Sequence, residues 1–386
     1  MSVARLGRDP GSPLGLVLSG GGARGAFQVG VWKILMEDRR GIGRLPEVVS
    51  GTSAGAINAV LLAAGLTPEA MMRFWLDLAA DPPVTANMAF FSSLQSELTR
   101  LLMREPLRAL DRRWREAKIL GGLLRKHSLT RLSGLESLAL EFALTARFDM
   151  VSDALDAIAT RYLFDLSPMA ARLERVLGKG GLRTSAVRLA INTVDVSTGS
   201  VVRIVNHRPH KRSEAAGRHY RYEPVITPEI VMASASIPLL FNPVRLGDQE
   251  LWDGGLLVNT PMAPAIALGA GRIVPVLVTP ARGGRPPENR FGAAVEHLAD
   301  AFLENAYSND RKLLLERNAL ARRFADPGLR IVELFEPIRP LSSRTFNAGS
   351  YLYFDAKAMV AMHEAGQVAA RQWLDAGPCL DDGDDA

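Results

Sequence analysis

The residues with the clearest chemical potential are Gly51-Thr52-Ser53-Ala54-Gly55. A serine with a glycine two residues to either side, after a short apolar run and before an apolar helical stretch, has the spacing of a nucleophile elbow. Gly51 and Gly55 leave room where a sharp strand-to-helix turn crowds the backbone. The turn lifts the Ser53 hydroxyl clear of the sheet, and the next helix turns its positive end toward the reacting centre. The same five residues also suit a plain turn with a helix-capping serine. A second candidate is Gly20-Gly21-Gly22-Ala23-Arg24-Gly25. Its successive glycines let backbone N–H groups converge on an anion. One use is an oxyanion hole; the other is a dinucleotide or phosphate cradle, since Gly20, Gly22 and Gly25 satisfy Gly-x-Gly-x-x-Gly. A nucleotide site expects an acid about 20 residues on, at the end of the second strand. That strand here runs into Ser50-Gly51-Thr52-Ser53, which counts against a nucleotide.

A hydroxyl nucleophile needs a base. The six histidines are His127, His207, His210, His219, His297 and His363. The first four sit among Arg and Lys, the last two fall within helical patterns, and none lies in a catalytic motif. Asp253, in Trp252-Asp253-Gly254-Gly255, is the better candidate: an acid after an extended segment and before two small residues can approach an elbow closely. Asp-Gly suits an ordinary turn as well. Acids and histidines do not fall at metal-ligand spacings, and no cofactor is implied. The single cysteine, Cys379, excludes an intrachain disulfide framework.

These residues need elements to position them. Leu14–Leu18 reads as a buried parallel strand, followed by the glycine turn and a helix carrying Phe27, Val31, Ile34 and Leu35. Pro46–Ser50 reads as a second strand and Ala54–Ala64 as a helix. That alternation is the grammar of an α/β fold with a mainly parallel sheet. From Pro68 to about Gly178 the pattern is helical, with no convincing strand. Strands return at Val187–Val194 and Val201–Val205, joined by a turn at Thr198-Gly199-Ser200, and Pro228–Ser236 reads as a helix. Val244–Trp252 is extended and broken at Gly247-Asp248, and Arg272–Val278 is another buried strand. Phe291–Ala321 is helical, Leu329–Phe335 a strand, and Asp355–Leu374 a closing amphipathic helix. The expected organisation is a core over 14–280 with a helical insertion at about 80–180, an extension over 281–376 packed on the core, and a flexible acidic tail over 377–386.

Together, Gly20–Gly25, Gly51–Gly55 and Asp253-Gly254-Gly255, in that order, resemble the patatin-like phospholipase family. Ala233-Ser234-Ala235-Ser236-Ile237-Pro238-Leu239-Leu240-Phe241 and Asn259-Thr260-Pro261 extend the match, as does Asn192–Thr198. The resemblance covers roughly Leu14–Ala80 and Tyr162–Thr279. It implies a three-layer α/β core with a mainly parallel central sheet and a helical cap. It further implies a serine lipid acyl hydrolase with a Ser-Asp dyad. Ser53 would attack the ester and form an acyl-enzyme, Asp253 would take its proton and later activate water, and the amides of Gly20, Gly21 and Gly22 would hold the oxyanion. Gly25, Gly51, Gly55, Gly254 and Gly255 would support them, and Arg24 would either hold the glycine loop or bind a lipid phosphate. Substrates would be phospholipids, lysophospholipids or other lipid esters. A general esterase, thioesterase or acyltransferase is a variant of this reading. A non-catalytic nucleotide- or phosphate-binding module is its rival. Malonyl-transfer enzymes share a related topology but use a histidine base, which no motif here supplies.

The 386 residues are 47% hydrophobic and 23% charged, with a formal net charge of +5. That is an ordinary globular composition, and its basic excess is too small to argue nucleic-acid binding. No secretory signal or membrane-spanning run is visible, so the expected location is cytoplasmic, with peripheral contact to anionic membrane left open. Two basic stretches suit such contact: Arg100, Arg104, Arg108, Arg112, Arg113, Arg115 and Lys118, downstream of Met88, Phe90 and Phe91, and His207-Arg208-Pro209-His210-Lys211-Arg212. A solvated basic face explains them equally simply.

Overall fold

The computed structural model describes residues 11–38, 45–104, 156–158, 160–183, 185–209, 220–281, 291–324, 330–342, 346, 348–351, 353–378 and 380. The elements begin with β1 (Leu14–Leu18), a 3-10 turn (Gly22–Arg24), α1 (Gly25–Glu37), β2 (Val48–Thr52), α2 (Ala54–Ala63) and α3 (Pro68–Ala80). There follow β3 (Thr85–Ala86), α4 (Met88–Arg104), β4 (Tyr162–Asp165), α5 (Ser167–Leu177), β5 (Arg188–Asp195), β6 (Val201–Val205) and β7 (Tyr220–Tyr222). Then come α6 (Pro228–Ala235), β8 (Leu239–Phe241), β9 (Val244–Leu246), β10 (Gln249–Asp253), a 3-10 turn (Gly254–Leu256) and α7 (Met262–Ala267). The chain closes with β11 (Arg272–Val276), α8 (Phe291–Phe324), β12 (Glu333–Leu334), a 3-10 turn (Ala348–Tyr351) and α9 (Ala356–Ala376).

Among the described residues the central sheet has nine strands, running β12-β11-β1-β2-β5-β10-β9, with β6 on β5 and β7 on β6. From β12 to β5 every pairing is parallel, whereas β10, β9 and β6 join antiparallel. Every residue of β1, β2 and β11 is buried, as expected where helices cover both faces of a parallel sheet. One face packs Val17, Val48, Ala190 and Ile273 against Met262 and Ala265 of α7 and Tyr307 and Leu314 of α8. α1, α2, α3 and α9 pack with one another to form the opposite layer. The register aligns Leu18 with Gly51, and Gly51 with Ile191, so β1, β2 and β5 deliver their C-terminal ends to one edge. That edge is where an open parallel sheet offers a site.

Ala86–Asp165 form one compact unit, and Met1–Thr85 with Leu166–Ala386 form another. Within the first, Asn87 donates its Nδ2 to the Tyr162 carbonyl at 2.9 Å. The Phe91 and Phe164 rings lie 6.4 Å apart. The strand Tyr162–Asp165 corrects the expectation of an all-helical stretch from Pro68 to Gly178. Four residues are too few to show a two-residue period beside long helical stripes. Leu329–Phe335 shortens to Glu333–Leu334, and Arg272–Val278 ends at Val276. Arg108, Arg112, Arg113, Arg115, Lys118, His127, His210, Lys211, Arg212, His219, Cys379 and residues 381–386 of the acidic tail lie outside the described residues, while Leu380 of that tail bridges antiparallel to Phe335.

Candidate active site

Ser53 stands between the last residue of β2 and the first of α2. Its backbone sits at φ 55 and ψ −123, one of two non-glycine residues with positive φ among those described. Such a conformation costs an L-residue about 1–3 kcal/mol and persists only where its surroundings impose it. Here the Ser53 N–H donates to Ser234 Oγ at 2.9 Å, and the Ser234 hydroxyl donates to the Asn192 carbonyl at 2.6 Å. The Ser53 carbonyl accepts from the N–H groups of Ala56 and Ile57. Side chains are excluded at the glycines of the elbow: a Cβ on Gly55 would strike the Leu18 carbonyl, and one on Gly51 the Gly55 carbonyl.

Asp253 ends β10, beside Thr193 of β5, with its backbone N–H donated to the Ser236 carbonyl at 2.9 Å. Its side chain is 4% exposed and is near enough to the Ser53 hydroxyl to be stabilised by it in the charged form. Gly255 donates its N–H to Asp253 Oδ1 at 2.7 Å. Burial pushes the carboxyl up from 3.8 to about 7, against the opposing pull of the Gly255 N–H and the Ser53 hydroxyl. The acid is thereby brought into the range where a carboxylate can exchange protons with a serine near neutral pH. Gly254 lies against the Asn192 carbonyl, bringing β10 and β5 close together.

The glycine loop closes the third side. A Cβ on Gly20 would lie 3.1 Å from the Ser53 Cβ and 2.6 Å from Asn259 Oδ1. The Gly20 N–H donates to the Asn259 carbonyl at 3.2 Å, and Asn259 Nδ2 donates back to the Gly20 carbonyl at 3.4 Å. This corrects the expectation for Gly20: its amide is occupied, and the residue supplies close approach instead of a donor. The N–H groups of Gly21 and Gly22 have no hydrogen-bond partner among the described residues. Gly25 opens α1 against the Trp75 ring. A buried polar network fixes this loop to the elbow helix. Gln28 Nε2 donates to the Ser19 carbonyl, Asn58 Nδ2 to Gly25 O and Gln28 Oε1, and Trp75 Nε1 to Asn58 Oδ1. Such a network is stabilising only when every member is satisfied, as these four bonds are.

Arg24 is fully buried. Its guanidinium donates to Ser350 Oγ, Asp300 Oδ1 and the Val278 carbonyl and lies over the Tyr351 ring. It braces the loop and does not face outward toward a lipid phosphate. Among the described residues no histidine hydrogen-bonds Ser53 or Asp253. His207 and His297 are exposed, and His363 pairs with Gln367 on α9. No group of three or more His, Cys, Asp or Glu among them is arranged to hold a metal ion.

With the geometry in place, comparison with known proteins is decisive for the family. The sequence model of the patatin-like phospholipases matches residues 16–266, which contain Gly20–Gly25, Ser53 and Asp253. The chain belongs to the patatin-like phospholipase family. No curated protein matches it. Among solved structures it is similar to VipD from Legionella pneumophila, with 16% identity and a TM-score of 0.37 over 96% of this chain and 68% of that one. Three residues of this patatin-like phospholipase escaped the sequence reading of the site: Ser234, Asn192 and Asn259. All lie in segments that carry the family resemblance, but their role depends on contacts across the fold, such as Ser234 reaching Ser53 over 181 residues.

Proposed function

We propose that this protein hydrolyses carboxylic ester bonds of phospholipids or lysophospholipids through a Ser53–Asp253 dyad. The observation that carries the proposal is the meeting of a strained, elbow-borne Ser53 with a buried acid, Asp253, whose carboxyl burial raises to about 7 and the Ser53 hydroxyl pulls back down. In the first half-reaction Asp253 accepts the Ser53 proton as Oγ attacks the ester carbonyl carbon. The tetrahedral oxyanion is met by the N–H groups of Gly21 and Gly22. Collapse breaks the carbon–oxygen bond, and protonated Asp253 returns its proton to the leaving alcohol. In the second half-reaction Asp253 takes a proton from water, whose oxygen attacks the acyl-enzyme, and fatty acid leaves as Ser53 recovers its proton.

A lipid substrate is supported by apolar side chains close in the chain to the dyad. Leu256 and Leu257 follow Asp253-Gly254-Gly255 and are exposed, and Leu239, three residues after Ser236, is 73% exposed. Peripheral contact with a membrane belongs to the same proposal. No helix among the described residues is long and apolar enough to cross one.

The test is a lipid panel varying head group and acyl position, assayed for released fatty acid with wild type and Ser53→Ala. Release from phospholipid or lysophospholipid that disappears in the variant is expected. Turnover of soluble short esters or thioesters alone would move the assignment to a general esterase. Product found on an added alcohol in place of water would mark an acyltransferase.

A further inference from the structure

We infer that Asp300, Ser350 and Tyr351, all beyond the family-matched segment, are positioning residues for the oxyanion loop and act on it through Arg24. The inference rests on the dyad reading above and adds to it a part of the chain that the family match leaves out.

Arg24 is two residues past Gly22, where the loop turns into α1. Its side chain is 0% exposed, so its charge is held without water and depends on its protein partners. Its Nη1 donates to Asp300 Oδ1 at 3.0 Å and its Nε to Ser350 Oγ at 2.8 Å. The guanidinium carbon lies 3.6 Å from the Tyr351 ring centroid, and the Tyr351 hydroxyl donates to the same Asp300 Oδ1. The clamp therefore grips the guanidinium in its plane and from its face. Tyr351 also holds the loop directly: Gly22 is at φ 56 with its Cα against the Tyr351 carbonyl oxygen, leaving no room for a Cβ.

The clamp is itself anchored to the sheet. Four residues after Asp300 on α8, Glu304 accepts from Thr279 Oγ1, just past β11, and from Arg339, each at 3.2 Å. Arg24 also donates to the Val278 carbonyl of the same β11 extension at 3.3 Å. Gly21 and Gly22 thus lie between an elbow fixed by β2 and a clamp fixed by α8 and the 3-10 turn at Ala348–Tyr351. Oxyanion donors work only when held within about 0.5 Å of their productive position. A clamp on both flanks of Gly22 suits that requirement.

Wild type, Tyr351→Leu, Tyr351→Phe and Asp300→Asn would be assayed on a soluble chromogenic ester. Active sites would be counted by exhaustive fluorophosphonate labelling, so that kcat refers to competent sites only. Tyr351→Leu and Asp300→Asn are expected to lower kcat per labelled site by about ten- to a hundredfold with KM within about twofold. Tyr351→Phe, which keeps the ring over the guanidinium, is expected to recover most of that loss. A merely structural role would lower the number of labelled sites and leave kcat per site unchanged, which would overturn the inference. So would a change confined to KM. If Asp300→Asn does not fold, the two Tyr351 variants decide, because they remove no charge. Wild type that is not labelled at Ser53 would remove the dyad reading itself. A Ser53-dependent wild type whose Tyr351→Leu variant keeps full kcat per site would remove only the clamp.

Discussion

Asp253→Asn separates a catalytic acid from a turn residue, because the two roles predict opposite effects on stability. Asparagine keeps an oxygen to accept the Gly255 N–H, now at 2.7 Å, and fits the same volume. It removes the buried charge. Asp253 titrates at about 7 in the folded protein against an ordinary 3.8, a difference worth about 4 kcal/mol. The sign follows from proton binding: between those values the native state holds a proton that the unfolded chain has released. Stability from this group is therefore fully present below about pH 4 and is lost as pH rises to about 7. Urea unfolding of wild type and Asp253→Asn from pH 4 to 9 is expected to show equal stability at pH 4. The variant should then gain steadily and level off above pH 7 at about 4 kcal/mol more stable. Its turnover should be lost throughout. Wild-type kcat/KM should rise through a midpoint near pH 7, where Asp253 becomes the free carboxylate. A variant less stable than wild type at pH 8, or one that keeps its esterase activity, would refute the reasoning.

Two further outcomes follow from the elbow. Ser53→Gly relieves a backbone at φ 55, so it is expected to abolish activity while raising stability by about 1 kcal/mol, measured by denaturant midpoint; a clear loss of stability would contradict the strain. Ser234→Ala strips the Ser53 N–H and the Asn192 carbonyl of their shared hydroxyl and should cost about 1–3 kcal/mol and about tenfold in kcat. Wild-type stability and kcat in that variant would remove Ser234 from the account.

The elbow was legible in the sequence because its requirements are local: a short apolar strand, two glycines placed symmetrically about a serine, and a helix. Gly20–Gly25 and Asp253-Gly254-Gly255 were legible for similar reasons, and the parallel core followed from apolar runs of strand length at Leu14, Val48 and Arg272. Gly20 shows the limit. Its spacing was readable, but the carbonyl that occupies its amide belongs to Asn259, 239 residues away. Ser234 lay in a readable motif, yet only the rotation of α6 decides which hydroxyl meets Ser53. Arg24 could have faced a phosphate or the interior on sequence alone; Asp300, Ser350 and Tyr351 decide that from the far end of the chain. The strand at Tyr162 is too short to display a period beside the long helical apolar pattern in the sequence before it, whereas the strand at Glu333 was readable from its apolar run and only its length was overestimated.

The central claim, that Ser53 is an activated nucleophile, is tested most directly by fluorophosphonate labelling followed by peptide mass mapping at pH 8. One adduct is expected on the peptide containing Ser53, absent in Ser53→Ala and strongly slowed in Asp253→Asn. An adduct on another residue, or a folded wild type that stays unlabelled, would contradict it.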